Sequence, residues 1–187
     1  MNWLHQRYCV SEKWREEMVD ETLPWVLEEV GLDGPVLEIG PGPGLVTEAL
    51  VRFGVADLTT LEIEPEPAER LRERYGSRVH VETGDTAAMP FPDASFAVVL
   101  CCTMLHHVPT NAAQDRVLVE ARRVLRAGGV LAGSDSRASL GFRLFHLFDV
   151  HNPVDPHGFP GRLTAAGFHD VSVESVKDRF RFRAVAP

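Results

Sequence analysis

Apolar residues along this chain come as short continuous runs alternating with helical stripes, the order that builds a mostly parallel sheet. Val36, Leu37 and Ile39 form the first run, bounded by Gly34-Pro35 before it and glycines after it, and read as a buried strand. A helical stripe opens at once with Leu45, Ala49 and Phe53 at fourfold spacing. The stretch 57–63 reads as a second strand, and Pro65 suits the first position of a helix running through Ala68, Leu71 and Tyr75 to Gly76. A third strand from Val79 ends at Gly84-Asp85. Phe96–Cys101 is apolar throughout, as expected of a central parallel strand buried on both faces. A helix over 112–126 then leads through Gly128-Gly129 into a fifth strand ending at Asp135. The stretch 159–166 supplies one more helix, and 169–176 and 179–186 read as strands joined by Lys177-Asp178. In the last, Phe180, Phe182 and Ala184 alternate with Arg179, Arg181 and Arg183, predicting one buried and one solvated face.

Residues 1–33 form a helical cap before the first strand. Ser11 is placed to cap a helix, and Trp14, Met18 and Trp25 mark an apolar stripe. Pro24 is expected to break that pattern into two short helices, with Gly31 stopping the second.

Chemistry enters at the first strand–helix junction, Glu38-Ile39-Gly40-Pro41-Gly42-Pro43-Gly44. A dinucleotide fingerprint beginning at Gly40 needs glycine at position 45, where Leu45 stands. A phosphate loop needs a lysine that is absent here. Glu38 would repel a pyrophosphate but suits a cationic ligand. Glu-x-Gly-x-Gly-x-Gly resembles the first motif of the class I S-adenosylmethionine-dependent methyltransferases, whose cofactor carries a sulfonium and an ammonium. Glu62 lies about 20 residues beyond the turn, the separation of an acid that accepts from a ribose diol, and Glu62-Ile63-Glu64-Pro65 matches the family's acid, aliphatic, polar, proline pattern.

The resemblance implies a doubly wound Rossmann-like α/β sheet, mostly parallel, of seven strands with the last antiparallel and helices on both faces. It also implies roles. Gly40, Gly42 and Gly44 form the cofactor turn with Glu38 beside it, Glu62 takes the ribose hydroxyls (Glu64 being the competing acid), and Ile63 packs on adenine. Asp85 accepts from the adenine amino group, Thr86 offers its amide to the ring, and Cys101 offers a carbonyl to the methionine ammonium. Ala97 departs from the family, which usually has aspartate there. The motifs cover about 36–135 and continue more weakly to the end.

The bulk properties narrow the picture. There is room in 187 residues for one domain with a full core, and 44% apolar with 25% charged residues is ordinary globular composition. A formal charge of −8 argues against a nucleic-acid binder held mainly by phosphate contacts. Three cysteines without a Cys-x-x-Cys pair give no disulfide framework, so a reduced, cytoplasmic setting is expected. No apolar run approaches the length of a membrane span, and the first residues carry no signal-peptide core.

Two regions stand outside the cofactor motifs. Trp3, His5 and Tyr8 are placed to fold over the cofactor as a lid. The stretch 136–158, beyond what the fold needs, holds Leu140, Phe142, Leu144, Phe145, Leu147, Phe148 and Val150, and 144–158 contains neither lysine nor arginine. It is expected to wall a pocket for an apolar or aromatic small-molecule acceptor. His146, Asp149, His151, Asp155 and His157 could suggest a metal site, but the prolines between them prevent one continuous helix, and no metal is expected. An oxygen or amine acceptor would need a base, for which His106, His107, His146 and His151 are candidates. The function so read is methyl transfer by positioned in-line displacement. A non-catalytic cofactor-binding regulator or partner subunit is the alternative, while a nicotinamide oxidoreductase is disfavoured by Leu45 and Glu38.

Overall fold

A computed structural model describes residues 11–138 and 150–187. The N-terminal cap comprises α1 (Glu12–Glu16), a π-wound turn (Glu17–Thr22) and α2 (Leu23–Val26). Then follow β1 (Val36–Ile39), α3 (Leu45–Arg52), β2 (Leu58–Glu62), α4 (Pro65–Tyr75) and β3 (His80–Thr83). The second half holds β4 (Phe96–Cys102), α5 (Asn111–Val124), β5 (Leu125–Ser136), α6 (Phe159–Ala165), β6 (His169–Val176) and β7 (Arg179–Val185).

These strands form one seven-stranded sheet in the order β3-β2-β1-β4-β5-β7-β6. The pairings of β1 with β2 and β4, of β2 with β3 and of β4 with β5 are parallel, while β7 runs antiparallel to both its neighbours. The chain winds outward from β1 to β3, then crosses back to place β4 on β1's other side. A crevice therefore opens at the C-terminal ends of β1 and β4, where doubly wound folds bind ligands. The strands β1, β2 and β4 are buried at every position, because helices cover both faces.

Alternation along the strands assigns the two apolar layers. Leu37, Ile39 and Val99 face α5 and α6 through Val117, Leu118, Phe159 and Leu163. Val36, Val98 and Leu100 face α3, α4 and the cap through Leu50, Leu71, Met18 and Leu23. Each fully buried leucine contributes roughly 1.5–3 kcal/mol. Phe159 meets Phe182 edge-on at 5.0 Å between centroids and Phe180 at 6.0 Å, anchoring α6 to β7.

Three details of the sequence reading are corrected. Pro24 does not split the cap. Helical backbone runs from Glu12 to Val26 because the π-wound turn shifts the register, the Leu23 amide reaching the Met18 carbonyl and Thr22 Oγ1 donating to the Glu17 carbonyl at 2.8 Å. Pro24 then stands in the first turn of α2, where a missing N–H costs little. Gly31 is not the stop, since the helix ends at Val26 and the chain turns through Glu29 at φ 63°. Phe53, placed on the apolar stripe, is instead 53% exposed at the C-cap of α3.

The arginines of β7 are the larger correction. Arg179 bonds the Thr22 hydroxyl and pairs with Glu17 at 3.3 Å. Arg181 bonds the Trp25 carbonyl, pairs with Glu28 at 2.6 Å and Glu174 at 2.8 Å, and lies 5.1 Å over the Trp25 ring. The supposedly solvated face of β7 is thus the seat of the cap. The cap's other end is tied to α3, where Arg15 grips Glu48 with two bonds of 3.0 Å.

Candidate functional site

The site begins where β1 runs out. The Gly40 amide still extends the ladder, donating to the Leu61 carbonyl at 2.9 Å. Gly40 and Gly42 have φ of 67° and 53°, in the left-handed region that admits glycine cheaply. Open space surrounds the Gly42 α-carbon, with no heavy atom within 4 Å of where a Cβ would stand. Gly40 is instead roofed, since its Cβ would lie 2.2 Å from Met104 Cγ. Gly44, the residue before α3, rests against Leu71 of α4.

Two buried carboxylates flank this turn. Glu38 is 3% exposed and accepts from Thr47 Oγ1 at 2.6 Å. Burial pushes its carboxyl up to about 7, the charge of Glu62 adds to the rise, and the Thr47 bond opposes it. Glu62 is 6% exposed and bridges the site: Oε2 accepts from the Gly42 amide at 3.1 Å and Oε1 from the Glu64 amide at 3.0 Å. Glu64 itself is exposed at the start of α4. Beside it Ile63 is 61% exposed, an apolar side chain left uncovered next to the turn.

Asp85 is exposed just past β3, its carboxylate accepting from the Ala87 amide at 2.8 Å, and Thr86 is half-buried beside it. The loop beyond is braced by Arg123, which donates to the Met89 and Phe91 carbonyls and pairs with Asp93 and Glu120, while Glu120 receives the Met89 amide. Cys101 is buried in β4, and a Cβ on Gly133 would lie 1.9 Å from its carbonyl oxygen. That carbonyl lies close to the Gly133 α-carbon on the neighbouring strand β5. Burial raises both the Cys101 and Cys102 thiols, Cys102 to about 12, so neither is a thiolate at neutral pH.

After β4 the chain turns through Thr103 at φ 52°, a costly conformation for a β-branched residue, held by the Thr103 amide donating to the Ser134 carbonyl at 2.7 Å. This turn swings Met104 over Gly40 and delivers His106, which is buried. His106 Nδ1 lies 2.6 Å from Asp135 Oδ1, and its amide donates to Asp135 Oδ2 at 3.1 Å. Asp135, 1% exposed, ends β5 and also receives the Ser136 amide at 2.7 Å. A carboxylate at this distance favours the ring tautomer that carries its proton on Nδ1. His107 is half-buried against the His106 ring, centroids 4.1 Å apart, and His151 is half-buried where the chain re-enters the described structure.

The structure thus gathers Glu38, Gly40, Gly42, Gly44 and Glu62 around one turn and sets His106 in the helical turn that follows the neighbouring strand β4. Ile63, Asp85 and Thr86 follow along the β2 and β3 ends. His146, the lid residues Trp3, His5 and Tyr8, and most of the apolar stretch (140–149) lie outside the described residues. Asp155 serves as a cap before α6, accepting from the His157 and Gly158 amides at 3.1 and 3.2 Å. Among the described residues no cluster of three or more His, Cys, Asp or Glu could hold a metal, and no helix is long and apolar enough to cross a membrane. Sequence reading missed Asp135, Met104, Gln114 and Asn152. An acid ending a strand was a visible signal for Asp135; the others carry none outside the fold.

Known proteins resemble this chain in sequence and in fold. A family model described as a methyltransferase domain matches residues 37–133. The chain is 38% identical over 110 residues to the 27-O-demethylrifamycin SV methyltransferase of Amycolatopsis mediterranei, covering 54% of this chain and 38% of that protein. It is 41% identical over 92 residues to the ribosomal RNA small subunit methyltransferase A of Cupriavidus pinatubonensis, covering 47% of this chain and 33% of that protein. The chain therefore spans well under half the length of these curated relatives. Among solved structures it resembles the methyltransferase partner in a complex with the Haloferax volcanii Trm112 methyltransferase activator, with TM-score 0.79, 17% identity and coverage of 100% and 99% of the two chains.

Proposed function

The chain belongs to the methyltransferase-domain family of S-adenosylmethionine-dependent class I enzymes, and on that premise we propose that it methylates a small apolar or aromatic acceptor, releasing S-adenosylhomocysteine. The observation that carries the cofactor half is the open glycine turn held between two buried carboxylates. A cationic ligand bearing a ribose diol fits Glu38, Gly42 and Glu62 in a way that a pyrophosphate does not.

The cofactor supplies a methyl group already activated by its sulfonium. What remains for this chain is to orient the acceptor in line with that methyl and to exclude water. Glu62 receives the ribose hydroxyls while keeping Gly42 in place, and Glu38 sets a negative charge near the cationic end. Ile63 offers an apolar surface to the adenine, and Asp85 and Thr86 its polar edge. His106 Nε2 takes the proton that an oxygen or amine acceptor loses as its lone pair forms the new bond to carbon, and Asp135 stabilises the resulting imidazolium.

The acceptor class is read from the stretch 140–151. It leaves from the C-terminal end of β5 and returns at Asn152, whose amide donates to the His106 carbonyl at 2.8 Å. The described residues on either side of it, Ser136 and Asn152, bond to Asp135 and to the His106 carbonyl, and its composition is apolar with no cation from 144 to 158. A negatively charged chain with such a segment suits an apolar metabolite better than a polyanion.

Labelled S-adenosylmethionine incubated with a metabolite extract tests the reading, the expected result being label on an apolar small molecule. Label found only on ribosomal RNA or on protein would overturn the acceptor class. Firm S-adenosylhomocysteine binding with no transfer to any fraction would favour a non-catalytic cofactor-binding regulator or partner subunit.

A further inference from the structure

The turn that carries His106 is held from two sides. Asp135 holds it from β5, through the imidazole and the backbone amide. From the other side, three consecutive or near-consecutive carbonyls each receive a donor. Leu105 accepts from Gln114 Nε2 at 2.9 Å, His106 from the Asn152 amide at 2.8 Å, and Val108 from Asn152 Nδ2 at 3.1 Å.

Gln114 is the hub of this second holder. It is fully buried on α5, and its Nε2 donates a second bond to the Asn152 carbonyl at 2.8 Å while its Oε1 accepts from Arg162 at 2.9 Å. Both donor hydrogens and the acceptor are thereby used. No other common side chain of this size could do the same. A glutamate could still receive Arg162 but would donate to neither carbonyl, and a methionine would do none of the three. Asn152 is the point at which the chain returns from the apolar stretch, so one glutamine joins the base-bearing turn to the acceptor-side segment.

Resting on the reading of His106 as the base, we infer that Gln114 is a positioning residue for it. By tying Leu105 and Asn152 together it fixes the His106 ring against Asp135 and holds Asn152 against the same turn. Gln114 touches no reacting atom itself.

The test reads the ring directly and needs no turnover. A proton shared between His106 Nδ1 and Asp135 at this separation gives a far-downfield proton resonance, identified by its loss in His106→Gln. Gln114→Met and Gln114→Glu are expected to shift or broaden that resonance, with S-adenosylhomocysteine affinity kept within about threefold, since the glycine turn is not involved. Asn152→Ala, at a half-buried site less demanding of the fold, is expected to move the resonance in the same direction and by less. An unmoved resonance in a folded Gln114 variant would overturn the inference, and Arg162→Met, which removes the donor that orients the Gln114 amide from a partly exposed site, decides in the same way where the Gln114 variants do not fold. Undiminished methyl transfer in His106→Gln would overturn the base reading alone, while the resonance would still report whether Gln114 places the ring.

Discussion

The two halves of the crevice are built differently. On the cofactor side, buried carboxylates bond to main-chain amides and to one nearby hydroxyl: Glu62 to Gly42 and Glu64, Glu38 to Thr47. On the acceptor side, side-chain amides and a histidine–aspartate pair join segments far apart in the chain, Gln114 to Asn152 and His106 to Asp135. The first arrangement offers negative charge at fixed points, as a cationic cofactor common to a whole family requires. The second fixes the proposed base and the segment that resumes at Asn152.

The sharpest way to break this contrast is to fill the cofactor side. Gly42→Val puts a branched side chain into open space at φ 53°, and is expected to abolish S-adenosylhomocysteine binding by calorimetry in a protein that still melts cooperatively. Retained affinity would place the ligand elsewhere. Next in size, Glu62→Ala should cost roughly 2–3 kcal/mol of cofactor affinity, because charge-assisted bonds to the ribose and the brace on Gly42 are lost together. Glu64→Ala should cost far less, and the reverse ranking would reassign the ribose acid.

A gentler probe is pH. Burial pushes the Glu38 carboxyl from an ordinary 4.5 up to about 7. If the cationic ligand requires the ionised form, S-adenosylmethionine affinity should rise by about tenfold between roughly pH 6 and pH 8, and Glu38→Gln should flatten the profile. The effect on stability has the opposite sign. A folded pKa raised above the unfolded one means that the native state binds the extra proton, so this contribution is full below 4.5 and is lost as pH rises through about 7. Urea unfolding of wild type and Glu38→Gln across that window measures it. The smallest effect on ligands belongs to Arg181→Ala, which should lower unfolding free energy by about 1–3 kcal/mol by releasing the cap while leaving S-adenosylhomocysteine affinity unchanged. A drop in affinity would show that the cap reaches the site.

The same contrast explains what was legible in the sequence. The β1–α3 unit, the glycine turn and Glu62 depend on residues close in the chain, where spacing and periodicity carry the information. The apolar run of β4 and the proline at the start of α4 are likewise local signals. Arg179 and Arg181 looked solvated because alternation tells only that a strand has two faces, and their partners in the cap stand 162 and 153 residues away. Asp135 meets His106 only through the register of β4 on β5, with Cys102 opposite Ser134. Pro24 misled for another reason: a π-wound turn satisfies the backbone in a register that a proline's missing donor does not disturb.

Glu62 has one further consequence, and it concerns time. A carboxylate has about four acceptor positions, and Glu62 uses two of them on the Gly42 and Glu64 amides. Two remain for the proposed ribose diol, and the bonds that hold the glycine turn do not compete with it. Association should then follow a single exponential whose rate rises linearly with S-adenosylhomocysteine concentration, with no slow rearrangement limiting it. Differences in affinity among variants of this side would consequently be written in how long the ligand stays.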